Sequence, residues 1–307
     1  MTTKFAKLLF SHLVVILISM AASAQQIADP YFNAKVDNPA FTKNFPRVLF
    51  DEAHNNSDTV RGRYKPFADL LFNDGYHVAV NRQPFTKESL KSFKILVIVN
   101  PLGAEDIDDE GADSPAFTNA ECDTVSEWVR GGGALLFVAD EAPFGSAAEI
   151  LAARLGVDMS KGYTVDPANA AKGENNNASV MVYSRENHLL AEHAISSGRS
   201  EAERVNRVIV FTGQSLKGPE GSDALLKLAD SAVDKIASPV KTNSAAGRAQ
   251  GIAFRLGKGR VVALGDAAML SAQLTGSNNQ PFGMNIPNID NRQLALNIMH
   301  WLSGILK

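Results

Sequence analysis

The segment "DEAHNN", Asp51–Asn56, places two carboxylates, a histidine and two amides directly after the apolar run "RVLF". Such a run is typical of a buried strand, so the cluster is expected at a strand end, with Glu52 and His54 on one side and Asp51 on the other if the strand continues. These groups could hold a divalent metal, act as general acid and base, or hydrogen-bond a polar ligand. Asp51, Glu52 and His54 are therefore candidate catalytic residues.

Three other predicted strand ends also carry polar or acidic residues: "NP" at Asn100, "DEAPFG" at Asp140 and "GDAA" at Asp266. In an open parallel sheet, ligands bind beyond the carboxyl ends of the strands, because the crossover loops converge there. We expect the four segments to line one cleft, with Asp140 and Asp266 completing the catalytic candidates. The alternative is that these residues only form turns and cap helices, as Asp and Asn commonly do.

The segments that must position these residues alternate between strand and helix. "KILVIVNP" and "ALLFVAD" read as strands buried on both faces, and "GIAFRLGKGRVVALGD" reads as a hairpin. The alternation predicts a flavodoxin-like α/β layer structure, a mostly parallel sheet with helices on both faces, followed by this hairpin and a C-terminal helix. Three helix starts carry capping-box spacing: Thr118 with Glu121, Ser146 with Glu149, and Asp290 with Gln293.

Several familiar catalytic patterns are missing from the chain. The histidines of "HLLAEH" are five positions apart, which is not the metalloprotease spacing, and Ser146 lacks the G-x-S-x-G elbow. The "GGG" at 131–133 precedes a strand and so is not a phosphate-binding loop. Cys122, the only cysteine, lies on an apolar helical stripe and is expected to pack in the core.

Composition and termini bound the class of protein. The 307 residues carry a formal net charge of -3 without a basic stripe, which excludes nucleic acid as an expected partner. Lys4 and Lys7 precede an apolar stretch that ends in "AASAQQ", as in a secretory signal cut after Ala24. We therefore expect a periplasmic or secreted protein with a signal peptide at 1–24, an extended lead-in at 25–46, one domain at 47–307 and no transmembrane segment after cleavage.

Five segments together resemble a known group: "RVLFDEAHNN", "ILVIVNPLG", "WVRGGGALLFVADEAPFG", "GKGRVVALGDAAML" and "DNRQLALNIMHWL". They are similar to exported bacterial members of the class I glutamine amidotransferase-like superfamily, in particular a domain of unknown function related to trehalose-utilisation-like and gliding-motility-type domains. The resemblance implies a flavodoxin-like fold. It does not imply glutaminase activity, because the turn that would hold the nucleophilic cysteine holds Asp140, and no histidine is followed by x-Glu.

Two functional hypotheses of different classes follow. In the first, the cleft binds a saccharide or another small polar molecule. In the second, the carboxylates and His54 form a metal-assisted or acid-base hydrolase site acting on a carbohydrate or a related ester or amide; an envelope protein-interaction module is a third possibility. The sequence does not identify a cofactor, although a divalent metal is possible, and it does not predict the oligomeric state. The candidate ligand-binding residues are Asn55, Asn56, Asn100, Glu141, Phe144 and Asn291.

Overall fold

A computed structural model describes residues 26–171, 177–237 and 240–307, so the predicted signal peptide at 1–24 lies outside the described residues. The strands are β1 (Ile27–Ala28), β2 (Arg47–Asp51), β3 (His77–Asn81), β4 (Ile95–Val99), β5 (Ala134–Val138), β6 (Asp158–Met159), β7 (Tyr163–Val165), β8 (Val180–Ser184), β9 (Arg207–Phe211), β10 (Leu216–Lys217), β11 (Asp223–Lys227), β12 (Val233–Ala237), β13 (Val240–Ser244), β14 (Ala249–Leu256), β15 (Gly259–Leu264), β16 (Ala272–Thr275) and β17 (Gln280–Gly283). The α-helices are α1 (Lys65–Asn73), α2 (Lys87–Leu90), α3 (Asn119–Arg130), α4 (Phe144–Ala147), α5 (Glu149–Leu155), α6 (Ala194–Ser197) and α7 (Asn291–Ser303), and short 3-10 helices span Glu201–Glu203 and Ala268–Leu270.

The largest sheet has nine strands and two halves of different character. Strands β3, β2, β4, β5 and β15 lie side by side in that order and are parallel. Strand β14 then pairs antiparallel with β15 across the predicted hairpin, and β10, β6 and β11 continue the antiparallel half. The predicted α/β architecture is confirmed, and the parallel half brings the carboxyl ends of β2, β4, β5 and β15 to one edge.

The parallel strands are buried on both faces because their apolar residues are continuous. In β4, for example, Ile95, Val97 and Val99 face one core and Leu96 and Ile98 face the other. Helices α1 and α7 cover the first core, whereas α3 and α5 cover the second. This alternation follows directly from the two-residue period of a strand and accounts for the helices on both faces.

Only one of the three predicted capping boxes forms. Thr118 and Glu121 cap α3 as expected, with the Thr118 side chain accepting from the Glu121 N–H and Glu121 accepting from the Thr118 N–H. Ser146 lies inside α4 rather than before α5. Asp290 does precede α7, but its carboxylate accepts from the backbone N–H groups of Asn206 and Arg207 instead. Tertiary donors therefore took the place of the helix N–H groups at Asp290, whereas Ser146 is too far inside α4 to cap α5.

The remaining strands form small antiparallel sheets around the main one. The lead-in contributes β1, which pairs with β16 and thereby joins β17, so part of this segment is anchored rather than free. Strands β8 and β9 pair with each other, and β7, β12 and β13 form a third group. Strand β9 thus lies outside the main sheet.

Two further sequence expectations concern Cys122 and membrane spans. Cys122 is fully buried on α3, and burial raises the pKa of its thiol to about 11, so its predicted packing role is confirmed. Within the described ranges, every helix is too short or too polar to cross a bilayer.

Candidate functional site

A cleft of about 640 Å³ opens at the carboxyl ends of the parallel strands. Its wall is built by the segments that follow β2, β4, β5 and β15, joined by the end of β9 and by β16 and β17. This is the place that the strand-end pattern predicted. Seven of the sequence candidates line it: Glu52, Asn55, Asn56, Asn100, Asp140, Glu141 and Phe144.

The "DEAHNN" segment divides between the cleft and the protein interior. Asp51 is fully buried and His54 is only 7% exposed, and neither lines the cleft. The Asp51 Oδ2 atom lies 2.7 Å from His54 Nδ1, and His54 Nε2 lies 3.0 Å from Glu121 Oε1. The condition under which Glu52 and His54 would share a side is not met, because the strand ends at Asp51 and the following turn brings His54 back to Asp51.

The buried Asp51, His54 and Glu121 side chains form a charged network beneath the cleft. Burial opposes a charge on His54, but its hydrogen bonds to Asp51 and Glu121 outweigh burial and raise the pKa of His54. Burial likewise opposes ionisation of Glu121, yet hydrogen bonds from His54 and Thr118 lower the pKa of Glu121 to about 2. The imidazole therefore favours its protonated form and ties the loop after β2 to the start of α3.

Asn100 joins two loops of the cleft through its side chain. Its Nδ2 group donates to Asp58 Oδ2 at 2.8 Å, and its Oδ1 atom accepts from the Asp140 N–H at 2.9 Å. Its carbonyl also accepts from the Ser57 N–H. Asn100 thus sets the spacing between the segments that follow β2 and β5.

Asp140, Glu141 and Asp266 form a carboxyl cluster at the centre of the strand ends. Burial, followed by the negative charges of Glu141 and Asp266, raises the pKa of Asp140 well above its usual range. Burial also raises the pKa of Asp266 to about 8, although backbone N–H donors partly offset it. The cluster therefore retains a proton near neutral pH, which is what a general acid requires.

Asp266 and Asn291 hold the framework and do not line the cleft. Asp266 is fully buried and accepts from the N–H groups of Phe211 and Ala268 at 2.7 and 2.9 Å. The buried amide of Asn291 bonds to the backbone N–H and carbonyl of Ile209. A direct ligand contact is therefore incompatible with where Asp266 and Asn291 lie, because each already satisfies backbone groups in the core.

Three of the eight non-glycine residues with a positive φ in the described ranges line the cleft. Asn55 has a φ of 48°, Asn100 a φ of 45° and Thr212 a φ of 75°. Asn tolerates this region, but the β-branched Thr212 does not, so its conformation is strained. Such strain persists only where the surroundings enforce it, and it is commonest at functional sites.

Other cleft residues were not among the sequence candidates. Asp58 lies in the same loop as "DEAHNN", and its carboxylate forms an ion pair with Arg63 Nε at 2.9 Å. Phe211 and Phe282, whose ring centroids are 4.1 Å apart, form an apolar wall. The acidic and basic residues just beyond Asn56 in the sequence could have indicated the Asp58–Arg63 ion pair. Nothing local signals the second pair, because β9 and β17 are distant in the chain.

Metal binding and acid-base chemistry place different demands on this site. In the ranges that the structure describes, no group of three or more His, Cys, Asp or Glu side chains is arranged to hold a metal ion. The residues that do meet are a proton-holding carboxyl cluster, fixed amides and an aromatic wall. This arrangement can hydrogen-bond a polar molecule and donate a proton to it.

Comparisons with known proteins bear on the fold. No protein-family model and no curated protein matches the chain by sequence. Among solved structures, the mmIFT52 N-terminal domain matches with a TM-score of 0.58 and 15% identity, over 84% of this chain and 97% of that one. The cytoplasmic protein STM3548 of Salmonella typhimurium matches with a TM-score of 0.49 and 12% identity, over 84% of this chain and 99% of that one. A GMP synthase-like protein of Thermoplasma acidophilum matches with a TM-score of 0.43 and 13% identity, over 85% of this chain and 96% of that one.

The first of these matches shows a shared α/β fold, and at such identities the likeness extends to the fold alone. The chemistry of the cleft must therefore be inferred from its own residues.

Proposed function

We propose that this chain is an exported, glutamine amidotransferase-like domain that binds a small polar ligand, a saccharide, in the cleft at the carboxyl ends of its parallel strands. The observation that carries the proposal is the convergence in that cleft of fixed amides and carboxylates with an aromatic wall. Saccharides need both, because their hydroxyls hydrogen-bond in the ring plane while their C–H faces pack on aromatic rings.

The polar groups that face the cleft are held in place before any ligand arrives. Asn100 is fixed between Asp58 and Asp140, and Glu52 Oε1 accepts from the Val60 N–H at 2.9 Å. Preorganised hydrogen-bonding groups lose little conformational entropy when a ligand binds. This rigidity favours specific recognition of a small molecule over a broad, adaptable protein-binding surface.

The aromatic contribution comes from a different residue than the sequence suggested. Phe144 lines the cleft but is only 6% exposed, which leaves little of its ring for stacking. Phe282 is half-buried and packs against Phe211, so one of its faces is supported while part of the ring is open. We therefore assign the stacking role to Phe282.

Glutamine hydrolysis is not part of the proposed function. The loop after β5, where the resemblance would require a nucleophilic cysteine, carries Asp140, and Cys122 is buried on α3 with a raised pKa. A thiol of this kind is a poor nucleophile. Export rests on the signal-like sequence at 1–24 alone.

A hydrolase is the second candidate, and the carboxyl cluster favours it. Asp140 holds a proton beside Glu141, so one could serve as general acid and the other as base on a glycosidic or ester bond. His54 is excluded from this role in our proposal, because both of its ring nitrogens contact buried carboxylates.

The test is a calorimetric screen of the mature protein against mono- and disaccharides, with chromogenic glycosides and esters assayed in parallel. We expect saccharide binding that Glu141→Gln weakens at least about tenfold, the cost of losing one charge-assisted hydrogen bond. Glu220→Gln, an exposed carboxylate between β10 and β11, is the matched control. Turnover that Asp140→Asn abolishes would favour the hydrolase. No binding and no turnover would refute both candidates.

A further inference from the structure

The charges of the cleft are strongly unbalanced. Arg63 is the one basic side chain among the residues that line it, all of which lie in the described part of the chain. The acidic side chains are six: Glu52, Asp58, Glu105, Asp106, Asp140 and Glu141. A cleft with low-dielectric walls and one sign of charge attracts ligands of the opposite sign.

Two of these carboxylates are already neutralised by arginine. Asp58 pairs with Arg63, and Glu52 pairs with Arg82 at 3.1 Å. Glu105 and Asp106 lie at the exposed rim, where solvent screens their charge. The remaining acidic groups inside the cleft are therefore Asp140 and Glu141, of which Asp140 favours its protonated form until a cation displaces the proton.

Gln273 supplies an independent indication of a ligand. It is 2% exposed, lines the cleft, and donates from Nε2 to Ser271 Oγ at 2.6 Å. Ser271 Oγ in turn donates to the Ala268 carbonyl, so the orientation of the Gln273 amide is set. Its Oε1 atom has no hydrogen-bond partner in the described ranges, and an unsatisfied buried acceptor carries a free-energy penalty.

Gln273 and Asp140 lie on the same lip of the cleft. Asp140 Oδ2 accepts from the Ala267 N–H at 3.2 Å, while Gln273 is linked through Ser271 to the next residue, Ala268. Both Ala267 and Ala268 form part of the cleft wall. Once the Asp140 proton has left, the groups that converge at this lip are hydrogen-bond acceptors.

We propose that the ligand of this cleft bears a primary ammonium group, which binds between Gln273 Oε1 and the carboxylates of Asp140 and Glu141. This inference rests on the proposed function and narrows it to an amine-bearing ligand, an amino sugar in the saccharide case. An ammonium group is compact and has three donors and no acceptor, so it matches a site made of acceptors. The neutral hydroxyls of the same sugar would contact Asn55, which is exposed and lines the same cleft.

Proton release is a second consequence of this arrangement. Because burial and neighbouring charge favour the protonated form of Asp140, a bound cation would replace that proton. Calorimetry in buffers of different ionisation enthalpy should then show protons leaving the protein as an amino sugar binds.

The experiment compares matched sugar pairs by titration calorimetry: glucosamine with glucose, galactosamine with galactose, and mannosamine with mannose, with spermidine as an amine that is not a sugar. We expect at least one amino sugar to bind at least about tenfold more tightly than its neutral partner. Gln273→Met should remove most of that preference, bringing the affinity of the amino sugar close to that of its neutral partner. Gln280→Met, the same change at an exposed site on β17, should leave the preference intact. If Gln273→Met does not fold, Glu141→Gln provides the second test of the preference.

Each outcome separates the inference from the function on which it rests. Equal affinity within every pair, or tighter binding of the neutral sugars, overturns the ammonium site and leaves saccharide binding in place. Spermidine binding that Gln273→Met weakens, without sugar binding, supports the ammonium site and overturns the saccharide assignment. Failure of every ligand overturns both.

Discussion

Replacing Asp51 by Asn tests whether the buried acid-histidine pair is structural. Asp51 is fully buried, and its carboxylate contacts His54 Nδ1 at 2.7 Å and accepts from Asn81 Nδ2 at 3.0 Å. The Asn side chain keeps the volume but removes the negative charge that stabilises the imidazolium. Removing one partner of a buried ion pair lowers the free energy of unfolding by about 3 kcal/mol at the lower end of the measured range. The lower end applies to Asp51→Asn because the Glu121 carboxylate still pairs with His54.

The cost should depend on pH in a defined direction. The folded-state pKa of His54 is raised, so its stabilising contribution is fully present below the unfolded value of about 6.5 and is lost as pH rises through the folded value. We therefore expect the wild type to exceed Asp51→Asn by about 3 kcal/mol at pH 6. As pH rises toward 9 the imidazole loses its proton, and the difference should shrink toward about 1 kcal/mol, the contribution of an ordinary hydrogen bond.

Urea denaturation followed by circular dichroism at pH 6 and pH 9 measures this difference. Asp69→Asn is the control, because Asp69 forms an exposed pair with Lys65, and such pairs contribute about 0.5 kcal/mol or less. A stability gap for Asp51→Asn that is independent of pH would refute the charged network. A loss of ligand binding without any loss of stability would refute the structural role of Asp51.

Three further predictions concern the cleft. Asn100→Asp keeps the acceptor for the Asp140 N–H but places a second carboxylate next to that of Asp58. Urea unfolding should therefore show a decrease of about 2 kcal/mol or more in the unfolding free energy at pH 7, and a smaller decrease at pH 4. An equal decrease at both pH values contradicts this. The pKa of Asp140 is raised above its unfolded value of about 3.9, so ionisation of Asp140 lowers the stability of the wild type as pH rises. The unfolding free energy of Asp140→Asn minus that of the wild type should therefore increase between pH 5 and pH 9; a constant difference contradicts this. Thr212→Gly should be about 1 kcal/mol more stable than Thr212→Ala in thermal unfolding, the reverse of the usual order, because only Gly relieves the positive φ; the usual order would show that the backbone is unstrained.

Local patterns were sufficient to predict the elements of the parallel half-sheet. Continuous apolar runs at 95–99 and 134–138 became strands buried on both faces. The capping pair Thr118 and Glu121 formed because both partners lie within one helical turn. The edge of the sheet where the cleft lies also followed from the strand order of such folds.

The sequence alone determined which residues stand at the strand ends, whereas only the tertiary structure decided which way their side chains point. Within "DEAHNN" alternation was a poor guide, because the strand ends at Asp51 and the following turn directs His54 to a carboxylate on α3, 67 positions along the chain. Gln273, Phe211 and Phe282 reach the cleft from strands outside the parallel half-sheet. Long-range pairing of this kind depends on how distant segments pack and on which groups compete for buried hydrogen bonds. A short stretch of residues determines neither of them.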